Sequence, residues 1–199
     1  NGKTTTASTI YRILLNLGYK VALQGTRGFF INELCVEDYS LTTPVQLGNF
    51  INIQKAIQNS CQYFVMEVSS HAIEQNRIEG LDFALKIHTN ITRDHLDYHK
   101  TIEEYIRVKN LFLSDESKKL INIDDKVVKF NPINAFTYSL ENSSNFKVLK
   151  YELKDSMNVE FLYENKNYKF STNMMGIFNI YNLLAAISAV FCCFTSSAN

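Results

Sequence analysis

A Gly-Lys-Thr triplet at the start of a helix leaves a chain few ways to fold, and this chain opens on one: Asn1-Gly2-Lys3-Thr4-Thr5-Thr6, followed at once by the helical run Ala7 to Leu17. A helix start exposes backbone N–H groups with no partner inside the helix, and the positive end of the helix dipole adds to their pull on anions. Lys3 adds a mobile cation, and the Thr4 hydroxyl is a ligand for Mg²⁺. Such a loop handles the phosphates of a nucleoside triphosphate and joins a strand to a helix. The full motif carries glycine upstream of Gly2, so the expectation is a fragment that begins inside the loop. A lone Gly-Lys-Thr also occurs by chance at many helix starts, and the rest of the sequence has to decide.

Apolar spacing sorts that remainder into alternating elements. Ile10, Ile13, Leu14 and Leu17 form a helical stripe that Gly18 stops. Lys20 to Gln24 reads as a short strand and Thr26 to Tyr39 as loop with room for a hairpin. A helix follows from Val45 to Asn59, just past Pro44, because the residue before a proline is pushed out of the helical region. Tyr63-Phe64-Val65-Met66 is a continuous apolar run, as in a parallel strand covered on both faces, and it delivers Glu67 to its C-terminal end. Asp82 to Thr89, delivering Asn90, and Lys118 to Ile123 read as two more strands. Thr101-Ile102-Glu103-Glu104 has the form of a capping box and predicts a helix from Ile102. Ile133 to Thr172 carries short runs around a turn at Glu164-Asn165-Lys166-Asn167, and helical spacing returns from Gly176. The expected fold is therefore α/β: a mostly parallel sheet flanked by helices, with a small antiparallel β extension, and ligands at the C-terminal ends of the strands.

Composition serves to exclude. Lys plus Arg and Asp plus Glu are 20 each in 199 residues. No global field attracts nucleic acid or an anionic membrane surface, and any phosphate binding must be local. Cys35, Cys61, Cys192 and Cys193 form no CxxC pair, which fits a reducing compartment and a cytoplasmic location. The longest apolar run, Leu183 to Phe194, falls short of the roughly 20 residues that cross a bilayer, and no cleavable leader opens the chain. A buried helix and a monomer without membrane insertion are expected.

Three further stretches carry chemistry: Met66-Glu67-Val68-Ser69-Ser70-His71 with Gln75-Asn76-Arg77; Thr89-Asn90-Ile91-Thr92-Arg93-Asp94-His95-Leu96-Asp97-Tyr98-His99; and Gly176-Ile177-Phe178-Asn179-Ile180-Tyr181-Asn182-Leu183-Leu184-Ala185-Ala186. In this order behind Asn-Gly-Lys-Thr-Thr-Thr, they closely resemble the central, ATP-binding domain of the Mur ligases, which build the peptidoglycan stem peptide. Within that family they are similar to the tripeptide synthetases, which add the third residue. The resemblance covers about the whole chain and is weakest over residues 124–173 and the last ten. It implies a single central domain over residues 1–199, flanked in the complete enzyme by an N-terminal UDP-binding domain and a C-terminal domain that selects the amino acid.

The implied reaction belongs to cell wall biogenesis and so to cell shape, division and the cell cycle. ATP phosphorylates the free carboxylate of UDP-N-acetylmuramoyl-L-alanyl-D-glutamate, and the amine of diaminopimelate or lysine attacks the acyl phosphate. Two anions must meet, so the site needs metal ions and cations more than a strong base. Carried over position by position, Asn1, Gly2, Lys3, Thr4 and Thr5 would hold the phosphates, and Asn179 and Asn182 would lie near the adenine. Lys3, Glu67, His95 and Lys109 would be catalytic, with Thr4, Glu67, His95 and Lys109 the Mg²⁺ set. Thr42, Thr43, Ser69, Gln75 and Arg77 would bind the nucleotide sugar.

Each of these residues also has a plainer reading. Glu67 also has a reading as a strand-end carboxylate facing solvent, His95 as a core or surface histidine, and Arg77 as a helix-surface arginine. Thr42 and Thr43 can be turn residues before Pro44, and Asn179 and Asn182 can cap their helix. Asp94 and Asp97 can make local backbone bonds or orient His95. His95 and His99 are four apart, but no HExxH pattern supports zinc, and phosphate chemistry favours Mg²⁺. Lys109 falls on the apolar face with Ile102, Tyr105, Ile106 and Leu113, either as a snorkelling lysine or, as the resemblance implies, as a lysine carbamylated by CO₂. That chemistry needs an unprotonated amine, which partial burial favours. A different ligase of the superfamily, a phosphate-loop kinase or ATPase, and a non-catalytic nucleotide-binding module are the rivals.

Overall fold

The computed structural model describes residues 1–38, 41–91 and 100–194. In chain order its elements are α1 (Lys3–Asn16), β1 (Val21–Gly25), β2 (Gly28–Ile31), β3 (Leu34–Glu37), α2 (Gln46–Gln58), β4 (Tyr63–Met66), α3 (Ser70–Glu74), β5 (Lys86–His88), α4 (Ile102–Leu111), β6 (Lys119–Asn122), β7 (Ala135–Ser139), β8 (Phe146–Leu153), β9 (Met157–Tyr163), β10 (Lys166–Thr172) and α5 (Ile177–Phe194). They fall into two compact units. The α1 unit comprises described residues 3–38, 41–82 and 100–112, and the α5 unit comprises 1–2, 83–91 and 113–194.

In the α1 unit the strand order is β3-β2-β1-β4. β1 is buried throughout and runs parallel to β4, with Val21 opposite Tyr63 and Gln24 opposite Met66. The segment expected as loop with room for a hairpin forms the β2–β3 hairpin, antiparallel to β1, with Asn32 at φ 52° in its turn; asparagine tolerates that left-handed conformation best among non-glycine residues. Ala22, Phe29, Ile31 and Ala56 form the core between this sheet and α2. α1 buries Ala7, Ile10, Tyr11 and Leu14, whereas Leu17 is 56% exposed, so the packed stripe is rotated toward the helix start. Gly18 at φ 88° ends the helix as expected, its N–H bonding the Leu15 carbonyl.

In the α5 unit the order is β10-β9-β8-β7-β6-β5. β5, β6, β7 and β8 are successively parallel, and β8, β9 and β10 antiparallel. The strand expected over Asp82 to Thr89 contracts to Lys86–His88. The region expected to be wholly antiparallel begins instead with β7, a parallel strand beside β6. The period of two reports that a strand is half-covered, not which direction its neighbour runs, so sequence could not separate β7 from the extension. Glu164 and Asn165, at φ 47° and 59°, form the β9–β10 turn, and Lys166 and Asn167 belong to β10; two successive positive φ values match the twist of a two-residue hairpin. α5 packs on β6 and β7, and its Phe191 lies against Tyr163 and Tyr168, with centroids 5.4 and 5.0 Å apart. Although α5 is apolar enough over 18 residues to pass for a membrane span, 56% of it is buried within the protein.

Candidate functional site

In the α1 unit the chemistry gathers where β1 and β4 end. Glu67 follows β4, with its N–H on the Gln24 carbonyl, and is 4% exposed rather than facing solvent. Its carboxylate accepts from the Thr4 hydroxyl at 2.8 Å, the Thr26 N–H at 2.9 Å and the Thr26 hydroxyl at 3.2 Å. Gly25 makes the approach feasible, since a Cβ there would lie 2.1 Å from Glu67 Oε1. The loop threonine is thus already joined to the strand-end carboxylate. All these donors are neutral, and a buried carboxylate flanked by hydroxyl oxygens is a donor set suited to a hard divalent cation.

Thr43, 1% exposed, does more than make a turn. Its hydroxyl donates to the Glu67 carbonyl at 2.8 Å and accepts from Ser69 N–H at 3.1 Å, while Ser69 caps α3 through Ala72 N–H at 3.2 Å. Thr42 and Thr26 share a hydrogen bond at 3.1 Å. α3 ends at Glu74, so Arg77 is no helix-surface residue. Its guanidinium donates to the Thr43 carbonyl at 2.8 Å and to Gln75 Oε1 at 2.8 and 2.5 Å. Thr42, Thr43, Ser69, Gln75 and Arg77 therefore form one connected group that includes the Glu67 backbone.

Beneath it lies a buried amide network that periodicity did not disclose. Gln24, fully buried on β1, donates to Asn49 at 2.8 Å and accepts from Asn52 at 2.7 Å, and Asn49 donates to the Arg77 carbonyl at 2.7 Å. α2 turns these asparagines inward and leaves Leu47 70% and Ile57 68% exposed. The only signal was a pair of asparagines three apart in a helix, a residue type that competes with helical hydrogen bonding.

Lys3 opens α1, and Thr5 is part-buried beside it. Thr101 caps α4, accepting from Glu104 N–H at 3.2 Å, as the capping box predicts. On α4, Tyr105 and Val108 are buried and Lys109 half-buried, its Nζ 5.4 Å from the Tyr105 ring centroid. α4 packs on α3, next in sequence to Glu67 and Ser69. Asp94, His95, Asp97 and His99 lie outside the described residues.

The α5 unit brings together the other expected nucleotide contacts. Asn1 O accepts from Thr89 Oγ1 at 3.1 Å and from Asn90 Nδ2 at 3.0 Å. Gly2, at φ 83°, packs against Asn182; a Cβ there would stand 2.1 Å from Asn182 Oδ1. Asn179 bonds the Met175 carbonyl at 2.8 Å through its side chain, a local helix-start bond, and accepts weakly from Asn182 at 3.4 Å.

The turn after β6 was missed altogether. Asn122 Nδ2 donates to Thr89 O at 2.8 Å. Asp125 Oδ2 meets Ile91 N–H at 2.6 Å and His88 Nε2 at 2.8 Å. Asp124 accepts from Ser139 Oγ at 2.5 Å, Leu140 N–H at 2.7 Å, Glu141 N–H at 3.0 Å, Asn142 Nδ2 at 2.6 Å and Tyr181 O–H at 2.9 Å. Burial alone would raise the Asp124 carboxyl, but the Ser139, Asn142 and backbone hydrogen bonds outweigh it and bring it down to about 2. Asp125 is likewise held below the usual carboxylate range, its burial overridden by His88 and the Ile91 N–H.

The model of the Mur ligase middle domain matches residues 1–190. The chain is 54% identical over 190 residues to the UDP-N-acetylmuramoyl-L-alanyl-D-glutamate–2,6-diaminopimelate ligase of Wolinella succinogenes, covering 96% of this chain and 44% of that protein. The ligase of the same name from Helicobacter hepaticus is 50% identical over 196 residues, covering 96% of this chain and 42% of its own length. A solved structure of a UDP-N-acetylmuramoyl-L-alanyl-D-glutamate–2,6-diaminopimelate ligase superposes with a TM-score of 0.84 at 27% identity, over 98% of this chain and 42% of that one. The chain therefore spans less than half the length of the relatives it matches. With a matching family model over nearly all of its length and relatives this similar, the chain belongs to the Mur ligase middle-domain family.

Proposed function

We propose that this chain is the nucleotide-handling centre of an ATP-dependent ligase that joins an amino acid to UDP-N-acetylmuramoyl-L-alanyl-D-glutamate in peptidoglycan precursor synthesis. The observation that carries this reading is the buried Glu67 carboxylate bonded to the Thr4 hydroxyl at 2.8 Å, which couples the phosphate-loop threonine to a strand-end acid. The names of the relatives at 50% and 54% identity favour diaminopimelate as the incoming amine over lysine.

In this reading Asn1, Gly2, Lys3, Thr4 and Thr5 bind the triphosphate, and Asn179 and Asn182 the adenine. Arg77, fixed by Gln75 and the Thr43 carbonyl, offers its guanidinium to an anionic group of the nucleotide sugar, beside Thr42, Thr43 and Ser69. The substrate carboxylate attacks the γ-phosphorus, the bond to the β-phosphate oxygen breaks, and ADP leaves. The amine then attacks the acyl carbon and loses a proton, and inorganic phosphate departs as the amide forms. Lys3 stabilises the negative charge on the transferring group. Thr4, Glu67, His95 and Lys109, the last as a carbamate formed with CO₂, would hold Mg²⁺, which supplies charge screening between the two reacting anions. The reading places the enzyme in the cytoplasm, as a monomer.

The test is ADP release by the full-length parent with ATP, Mg²⁺ and the UDP-sugar dipeptide, comparing no amine, diaminopimelate and lysine. Release should require both the UDP-sugar and diaminopimelate. Release indifferent to both would replace the ligase by a kinase or ATPase. Lys109→Ala should abolish turnover while leaving substrate binding largely intact, and undiminished activity would remove Lys109 from the site.

A further inference from the structure

Asn122, the last residue of β6, and the turn that follows it, residues 123–125, touch two separate parts of the α5 unit. Toward one side, Asn122 Nδ2 donates to Thr89 O at 2.8 Å and Asp125 Oδ2 accepts from Ile91 N–H at 2.6 Å. The backbone between those contacts is the Thr89–Ile91 segment, whose Thr89 and Asn90 side chains both bond the Asn1 carbonyl, at 3.1 and 3.0 Å. Toward the other side, Asp124 Oδ2 accepts from Tyr181 O–H at 2.9 Å. Tyr181 lies on α5 between Asn179 and Asn182, one turn of helix whose Asn182 packs on Gly2.

The turn is itself anchored. Asp125 pairs with His88 Nε2 at 2.8 Å, with only 8% and 3% of the two side chains exposed, and the His88 carbonyl accepts from the fully buried Tyr138 at 3.0 Å. Asp124 holds the start of the β7–β8 connection through Leu140 and Glu141 N–H. Neither aspartate is left with the open coordination that a ligand-binding carboxylate shows; their donors come from the protein.

We infer that Asn122, Asp124 and Asp125 are positioning residues for nucleotide: Asp125 and Asn122 set the Asn1-Gly2 end of the phosphate loop through residues 89–91, and Asp124 sets the Asn179–Asn182 turn of α5 through Tyr181. The two arms leave adjacent residues, so one rigid turn fixes the spacing between the phosphate end and the nucleoside end of the site. The inference rests on the reading that this chain binds ATP.

The arms separate in a binding experiment on the full-length parent, using ADP and Mg²⁺–tripolyphosphate as probes in calorimetric titration. Tyr181→Phe deletes one hydroxyl; it should weaken ADP about five- to ten-fold, the effect of one lost hydrogen bond, and leave tripolyphosphate within about two-fold. Asp125→Ala should weaken tripolyphosphate by about ten-fold or more, and Asp125→Asn, whose amide oxygen still accepts from Ile91 N–H, should restore most of that loss. In steady state, Tyr181→Phe should raise KM for ATP while kcat and KM for the UDP-sugar stay within about two-fold. Variants that bind both probes like the parent, or that lose both equally with no rescue by Asp125→Asn, overturn the positioning role. A parent that binds neither probe overturns the nucleotide reading as well, a result distinguishable from the first.

Discussion

Glu67 and Asp124 carry the same functional group just beyond the ends of parallel strands, yet the protein treats them differently. Asp124 is saturated: Ser139, Leu140, Glu141, Asn142 and Tyr181 all donate to it, and its carboxyl is brought down to about 2. Glu67 is more deeply buried but, among the described residues, receives only the Thr4 hydroxyl and the Thr26 N–H and hydroxyl. A carboxylate has about four lone-pair sites. A saturated one is spent on the fold, and in the reading proposed above the buried one with three neutral donors is the one that serves a cation. Residue type and strand-end position do not separate the two roles; the donors around them do.

Four experiments break or sharpen that contrast, and the largest effect belongs to Glu67. In the full-length parent, Glu67→Gln keeps the shape and one oxygen to accept from the Thr26 N–H, turns the other position into an NH2 that can donate to the Thr4 and Thr26 hydroxyls, and removes the charge. Turnover should fall at least about 100-fold while the melting temperature changes little. Activity within about three-fold of the parent would make Glu67 a structural acid like Asp124.

Asp124→Ala should act on stability as well as on nucleotide binding, costing about 2–3 kcal/mol in urea unfolding because several N–H and O–H donors lose their partner together. A loss under about 0.5 kcal/mol would show that water replaces the carboxylate.

Acid unfolding gives a smaller, signed effect. The folded Asp124 carboxyl lies below its usual value of 3.8, at about 2, so the unfolded chain binds more protons through that interval. Its stabilisation is present above about pH 4 and is lost as pH falls toward 2. The fall in stability over that window should be shallower in Asp124→Asn than in the parent, and parallel curves would remove the charge from the account.

Gly25→Ala should have the smallest effect on stability, within about 1 kcal/mol. The new Cβ would meet Glu67 Oε1 at 2.1 Å, Cδ at 2.8 Å and Cγ at 2.9 Å, all side-chain atoms, so the Glu67 side chain as a whole shifts rather than the backbone. The Mg²⁺ concentration for half-maximal activity should rise several-fold. An unchanged Mg²⁺ requirement would separate Glu67 from the cation.

Local patterns made much of this readable. The helix from Lys3, its stop at Gly18, the apolar strand leading to Glu67 and the Thr101 cap each depend on neighbours within a few residues, and each formed. The rest depended on partners distant in the chain. Thr43, Ser69 and Arg77 proved to be one hydrogen-bonded group joined across 24 to 34 positions. Thr26 matters because a residue 41 positions away folds against its N–H. Asp124 and Asp125 are an unremarkable acidic pair until Ile91 and Tyr181 arrive beside them. α2 buries Asn49 and Asn52 because Gln24 waits for them on β1, where an apolar count would choose another face.

By itself the sequence determined the α/β class, the phosphate-loop helix start and the strand end that delivers Glu67, because these follow from backbone geometry and the covering of apolar runs. Only the tertiary structure decided which carboxylate is saturated and which left open, which way β7 runs, and which helix face turns inward. Those outcomes are set by hydrogen-bond donors and packing surfaces brought from elsewhere in the chain, and no local pattern encodes them.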